Sequence, residues 1–280
     1  MSFDDLMHEI SSTATRKIAA NADRSTAGAL VDRFGADHPT VLAVFSHPDD
    51  ESFLSGGLLG AFASRGARVI VASATAGEHG TDDPDCWPPA LLAERREAEF
   101  QAAITTLGCD FAFTMGVVDG TCHHIDDRLG ARLVGSVVDQ VRPNIVLTFG
   151  EDGVTGHQDH QAVGRWTRDA MAARSDVPVF ATVAATAWSD PCIEALHTID
   201  AFVPGYPDQS VRAGDVVVEL DEDLVDIKLS ALDCHASQMP RVAAALGPDR
   251  WRQLVAAEAY RPVNTAAGLL FDAEPRRTAA

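Results

Sequence analysis

From residue 41 onward, apolar positions in this chain fall into two alternating patterns. Short, nearly unbroken apolar runs at 41–46 and 145–149 read as strands covered on both faces. Further strands are expected at 68–74, 111–114 and 179–187. Stretches with helical spacing of apolar residues lie between them, at 54–65, 89–107, 126–141 and 158–174. Strands alternating with helices imply a mainly parallel sheet. The predicted fold class is α/β: a Rossmann-like, mainly parallel sheet with helices on both faces and a small C-terminal α+β extension. That extension comprises a strand at 214–220, an amphipathic helix at 222–239 and another helix at 248–259. Residues 1–37, polar and Ala-rich with weak helical patterning from 3 to 34, read as an N-terminal extension. Residues 38–280 show no repeat, low-complexity tract or linker and read as a single domain.

Composition narrows the partners. A formal net charge of −19 excludes a nucleic-acid partner, which needs clustered cations, and argues against docking on an anionic membrane. Five cysteines (86, 109, 122, 192 and 234) without a Cys-x-x-Cys pair fit reduced thiols in a cytoplasm. The N-terminus, MSFDDLMHEI, lacks the basic and apolar regions of a signal peptide, and no run has the length of a membrane span. A cytoplasmic protein is expected, with homo-oligomerisation left open.

The candidate chemistry sits where the apolar runs end. The first strand runs directly into His47-Pro48-Asp49-Asp50-Glu51, and such polar groups near a core edge require pairing or a cation. Pro48 stops the strand, because it has no N–H for the sheet ladder. The strand ending at Phe149 runs into a Gly-rich segment, 150–156, and then into His157, Asp159 and His160 just before a helical stretch. Imidazole plus carboxylate is a divalent-metal donor set. In open α/β sheets, ligands bind beyond the carboxyl ends of strands, so the two clusters are expected to meet.

With these residues in place, the chain resembles the LmbE-like, or PIG-L, family of zinc-dependent N-deacetylases. SHPDDE matches the first family motif and HQDH the second, with Gln158 where Pro is usual. Arg96-Glu97-Ala98-Glu99-Phe100 with Leu107-Gly108, then Asp119-Gly120, then Lys228 with His235-Ala236-Ser237-Gln238 match further family stretches in the same order. The resemblance covers residues 40–240. It implies that His47, Asp50 and His160 hold Zn2+, with Fe2+ or Co2+ also accommodated by such donors. It implies Asp49 as general base, and His157 as the group that stabilises the oxyanion or protonates the leaving amine. Asp159 would orient His157, and Arg96 and Asp119 would bind substrate. The implied reaction removes an acyl group, acetyl foremost, from a small-molecule N-acylated amino sugar or its conjugate. Alternatives are an amidase on a thiol conjugate or antibiotic intermediate, and a non-catalytic metal-binding protein. Some family members carry Tyr where this chain has Thr155.

Other polar residues receive blander readings. Glu51 is expected to cap its turn, Glu78 and His79 to lie in a loop or line the pocket, and His123 and His124 to sit in a surface loop. His235 reads either as packing near the site, in line with the family stretch it matches, or as a satisfied helix histidine, and the four Trp residues (87, 166, 188 and 251) show no aromatic platform.

Overall fold

The two apolar runs lie side by side at the centre of an eight-stranded sheet. In a computed structural model, which describes residues 23–34, 38–185, 188, 190–208 and 211–272, the strands are β1 (Asp23–Thr26), β2 (Thr40–Phe45), β3 (Arg68–Ser73), β4 (Phe111–Thr114), β5 (Ile145–Phe149), β6 (Val179–Thr182), β7 (Val216–Glu219) and β8 (Ala257–Pro262). Their order across the sheet is β1-β7-β8-β6-β5-β2-β3-β4. All neighbours are parallel except β8, which runs antiparallel to both β6 and β7. Residues 41–45 of β2 and the whole of β5 are buried, as runs without polar alternation require.

The helices are α1 (Ala27–Arg33), α2 (Asp50–Ser64), α3 (Pro89–Thr106), α4 (Asp127–Val141), α5 (Gln158–Met171), α6 (Asp190–Thr198), α7 (Glu222–Cys234), α8 (Met239–Leu246), α9 (Pro248–Val255) and α10 (Thr265–Asp272). α2 and α3 both pack on α7, and α4 packs on α5. The chain leaves β2 through α2 toward β3, and leaves β5 through α5 toward β6. These departures in opposite directions open a crevice beyond the carboxyl ends of two adjacent central strands, where ligands bind in such sheets.

The structure departs from the sequence expectations at both ends. Residues 23–33, expected in an extension, supply an edge strand and a helix whose Ala27, Leu30 and Val31 join the main core; the earlier part of that stretch lies outside the described residues. The C-terminal α+β part completes the sheet, because β8 threads between β6 and β7. The helix expected at 248–259 ends at Val255, and its last residues open β8. The helix expected at 222–239 stops at Cys234, and a turn at 235–238 leads into α8. The strand expected at 179–187 ends at Thr182.

One buried ion pair ties the C-terminal part to the centre. Glu258 in β8 accepts from the Gly57 and Leu58 N–H groups of α2 (2.7 and 3.0 Å), from Lys228 Nζ of α7 (2.7 Å) and from the Tyr260 hydroxyl (2.8 Å). Both side chains of the pair are 1% exposed. Burial lowers the Lys228 amine, with Glu258 opposing that shift. A Cβ at position 57 would stand 2.2 Å from Leu220 Cδ1, so a larger residue there would have to displace that side chain. Removing one partner of a buried pair leaves the other uncompensated. Lys228→Met is therefore expected to cost about 3–5 kcal/mol, read by urea unfolding, and adding Glu258→Gln should recover part of it. A single variant as stable as the wild type would show that the pair contributes nothing.

Candidate functional site

The carboxyl ends of β2 and β5 deliver both predicted clusters to one point. After β2 the chain turns at Pro48 and Asp49 and enters α2 at Asp50. The Asp50 carboxylate folds back, and its Oδ2 accepts from the N–H groups of Ser46 (3.2 Å) and His47 (2.8 Å). After β5 the loop 150–156 doubles back before α5. It requires glycine at 153, where φ is 67° and a Cβ would meet His160 Cβ at 2.7 Å. Phe149 stacks on the His160 ring, with centroids 4.2 Å apart, and meets Phe45 edge-on. The end of β5 thereby fixes the His160 ring, with the end of β2 packed behind it.

Three donor groups converge. His47 Nδ1 lies 3.1 Å from His160 Nε2 and 3.5 Å from Asp50 Oδ2, and His160 Nε2 lies 3.3 Å from Asp50 Oδ1. His160 Nδ1 is 2.9 Å from the Gly153 carbonyl, which can only accept, so Nδ1 carries the proton and Nε2 the lone pair. His47 Nε2 faces carboxylates on its outer side, with Asp119 Oδ1 at 2.9 Å and Asp159 Oδ2 at 3.8 Å, although it is buried without a well-aligned hydrogen bond. Carboxylates or carbonyls behind ligating imidazoles are the usual outer partners of a metal site. The two ring nitrogens are 3.1 Å apart and each lies 3.3–3.5 Å from one oxygen of the Asp50 carboxylate, close to the roughly 3.3 Å edge of a tetrahedron with bonds of about 2.0–2.1 Å. A proton can serve only one of these contacts, whereas a divalent ion serves all three. The residues fit a metal.

Charge in the cluster points the same way. Burial alone would lower the His47 imidazole, but Asp119, Asp159 and Asp50 outweigh it and hold it well above 6.5. Burial pushes Asp50 up, yet the His160 and His47 rings bring it down to about 2. Burial takes His160 down to about 4, against the pull of Asp50. Asp119 and Asp159 are held low against burial, chiefly by His47.

Asp49 stands apart from the donor trio. Its backbone adopts φ 132° and ψ −29°, a conformation that costs of order 1–3 kcal/mol for a residue with a Cβ. Its carboxylate accepts from Arg96 Nη2 at 3.0 Å. Burial raises it to about 6, with Arg96 opposing. His157 caps α5, its Nδ1 accepting from the Asp159 N–H at 3.2 Å, so in the neutral ring Nε2 carries the hydrogen. Burial and the neighbouring His47 lower its pKa, which favours that neutral form.

Several predicted residues sit where expected but touch different partners. The Asp159 carboxylate does not reach His157. It accepts from the Gly120 N–H (2.8 Å), lies 3.2 Å from His123 Nδ1 and stands behind His47. Asp119 and Arg96 line the cavity; Asp119 also backs His47 and accepts from the His79 N–H, and Arg96 donates to Gly77 O, Pro48 O and Asp49. His123, expected in a surface loop, joins the cluster through Asp159. Thr155 Oγ1 is 3.1 Å from His160 Nδ1. Trp188 and Trp251, scattered in sequence, flank the Phe53 ring at 5.5 and 6.0 Å. Phe53 and Phe202 line a cavity of about 540 Å³ that opens over the three donors.

Among the described residues no helix is long and apolar enough to cross a membrane. Residues 42–171 match the family model described as PIG-L: GlcNAc-PI de-N-acetylase. A 1D-myo-inositol 2-acetamido-2-deoxy-alpha-D-glucopyranoside deacetylase from Mycolicibacterium gilvum (strain PYR-GCK) is 30% identical over 231 residues, covering 74% of this chain and 78% of the relative. Among solved structures, N,N'-diacetylchitobiose deacetylase from Pyrococcus horikoshii, in complex with its inhibitor MPG, superposes with a TM-score of 0.59 at 19% identity, covering 99% of this chain and 97% of its own. GalB, the 4-carboxy-2-hydroxymuconate hydratase from Pseudomonas putida KT2440, gives 0.60 at 19% identity, covering 80% and 96%. A deacetylase and a hydratase thus share this architecture, and the fold alone does not choose the reaction. The matched segment contains both histidine–aspartate motifs, and the similarity to the M. gilvum enzyme extends well beyond it: this chain belongs to the PIG-L family.

Proposed function

We propose that this chain is a metal-dependent N-deacetylase that releases acetate from an N-acetylated amino sugar or its conjugate. One observation carries the reading: a three-donor cluster lining a cavity, with a second carboxylate, Asp49, in the same lining but outside the trio. A protein that only stored a metal would have no use for that carboxylate. The 30% identical relative, named as a deacetylase of a 2-acetamido sugar, supports the same chemistry.

In this reading His47, Asp50 and His160 hold the ion, zinc being the choice for two imidazoles and one carboxylate. When bound with one position open, such an ion supplies Lewis acidity and lowers the pKa of water to about 7. Asp49 takes the proton of the attacking water as its oxygen bonds to the amide carbon. With a pKa near 6, it is ionised at neutral pH and close enough to that pH to give the proton on to the departing nitrogen. The C–N bond breaks, leaving acetate and a free amine. The neutral His157, with hydrogen on Nε2, donates to the developing oxyanion. Arg96 fixes the Asp49 carboxylate, and Asp119 and Asp159 back the His47 ring, so all three act on groups of the site and not as the main grip on the sugar.

The cavity lining also includes Gln238, Asp200 and the Arg241–Asp82 ion pair, polar groups that can meet sugar hydroxyls. Leu196, Ile199, Phe202, Met239 and Val242 give the same cavity an apolar lining. That apolar lining favours a second reading, a deacetylase acting on a larger conjugate with an apolar substituent. None of the five cysteines forms a disulfide, which supports a cytoplasmic setting. Acetate release is to be measured on N-acetylglucosamine and on its inositol and alkyl glycosides, with zinc and after chelation. Chelator-sensitive release from any of them is expected, and preference for the alkyl glycoside would select the second reading. Release that survives complete metal removal, or none from the whole panel, would overturn the proposal.

A further inference from the structure

We propose that His235, acting through Glu51, is a positioning residue that holds Asp49 in its working conformation. The inference rests on Asp49 being the base. Asp49 has a backbone φ of 132°, which a residue with a side chain keeps only when its surroundings hold it there. Its N–H donates to Glu51 Oε2 at 3.0 Å. The other oxygen of that carboxylate, Oε1, accepts from Ser52 Oγ at 2.6 Å and lies 3.1 Å from His235 Nε2. Glu51 and His235 have side chains only 1% exposed, so Glu51 stays a fixed acceptor there only while buried donors satisfy its carboxylate oxygens. His235 comes from the turn after α7, 184 residues further along the chain.

The second hold on Asp49 returns to the same turn. Arg96 Nη2 grips the Asp49 carboxylate at 3.0 Å and the Pro48 carbonyl at 2.6 Å. One turn further along α3, Glu99 accepts from the N–H and hydroxyl of Ser237 at 3.0 and 2.6 Å. The turn 235–238 therefore braces both the backbone and the side chain of the proposed base, one through Glu51 and the other through α3. Gln238 in the same turn donates to the Gly80 carbonyl at 3.0 Å and lines the cavity. Glu51 and His235 do not line it, so they act on the reaction only through the residues they hold, Asp49 by hydrogen bond, with bound zinc as the readout for any effect through the adjacent Asp50.

The test is a double-mutant cycle on the full, zinc-loaded chain, reading kcat, KM and bound zinc with an N-acetylglucosaminide that the wild type deacetylates. His235→Ala should lower kcat by about 10- to 100-fold, the loss expected from a displaced catalytic group, with KM and zinc content within about twofold. His235→Gln, whose amide can still donate to Glu51, should recover most of the rate. In an Asp49→Asn background His235→Ala should cause no further loss, because residues acting through one group are non-additive. If His235→Ala does not fold, the isosteric Glu51→Gln carries the same cycle with the same expectations. An equal loss with and without Asp49, a loss confined to KM, or an unchanged kcat in a folded variant would overturn the inference. An Asp49→Asn enzyme as active as wild type would instead overturn the assignment of the base, a separate failure.

Discussion

Asp49→Asn is expected to lower kcat by about 10³-fold, within the range that a positioned general base contributes, while the protein keeps its metal. Asparagine preserves the shape and can still meet Arg96 through its amide oxygen, so the turn should hold. It cannot take a proton. The pH profile provides an independent check. Asp49 must be ionised to act, and burial sets it at about 6, so activity should rise with pH through an acid limb at or below that value, since a nearby divalent ion favours the carboxylate further. Arg96 opposes the burial shift. Removing its charge in Arg96→Gln should raise the Asp49 pKa and move the limb to higher pH. A limb that stays in place in Arg96→Gln, or an Asp49→Asn enzyme with near wild-type turnover, would place the base elsewhere.

The ease of finding Asp49 and its neighbours in the sequence has a physical origin. Two apolar runs end in polar clusters, and a parallel sheet carries strand ends of like direction to one edge, so local motifs sufficed to bring His47, Asp50, His157 and His160 together. What those residues lean on was not legible. Asp119 behind His47, Arg96 on Asp49 and Glu51 against His235 are contacts between segments whose register only the folded helices fix. Asp159 shows the limit well. Two residues after His157 in sequence, it looked like its partner, yet the start of α5 turns the carboxylate toward His47, Gly120 and His123 and leaves only its N–H for the His157 ring. Local propensity failed in the same way at Ala257, Glu258 and Ala259, which suit a helix in isolation. They form a strand because β6 and β7 leave a slot between them and the Glu258 carboxylate finds four donors there. The closing of that slot also shows why the C-terminal part is no appendage: β8 shares this sheet, and the turn at 235–238 braces the catalytic edge.

The identity of the third metal donor separates two arrangements that share His47 and His160. The His157 ring also comes close, with ligand atoms of the three histidines all within 4.8 Å of one another. Asp50 is the better candidate, because it lies 3.3 and 3.5 Å from the two ring nitrogens and its charge offsets that of the ion. His157 instead spends Nδ1 on capping α5. Asp50→Ala should therefore lose metal affinity by more than the roughly 10–100-fold typical of an outer partner, and turnover should vanish with the ion. His157→Ala should bind one equivalent of zinc as the wild type does and lose rate alone, by about 10²-fold or more if its Nε2–H meets the oxyanion. Zinc titration of both variants, followed by rates at saturating metal, distinguishes the two cases. If Asp50→Ala binds zinc normally while His157→Ala does not, the donors are three imidazoles, and Asp50 serves only to tie the end of β2 to the start of α2 through the Ser46 and His47 N–H groups.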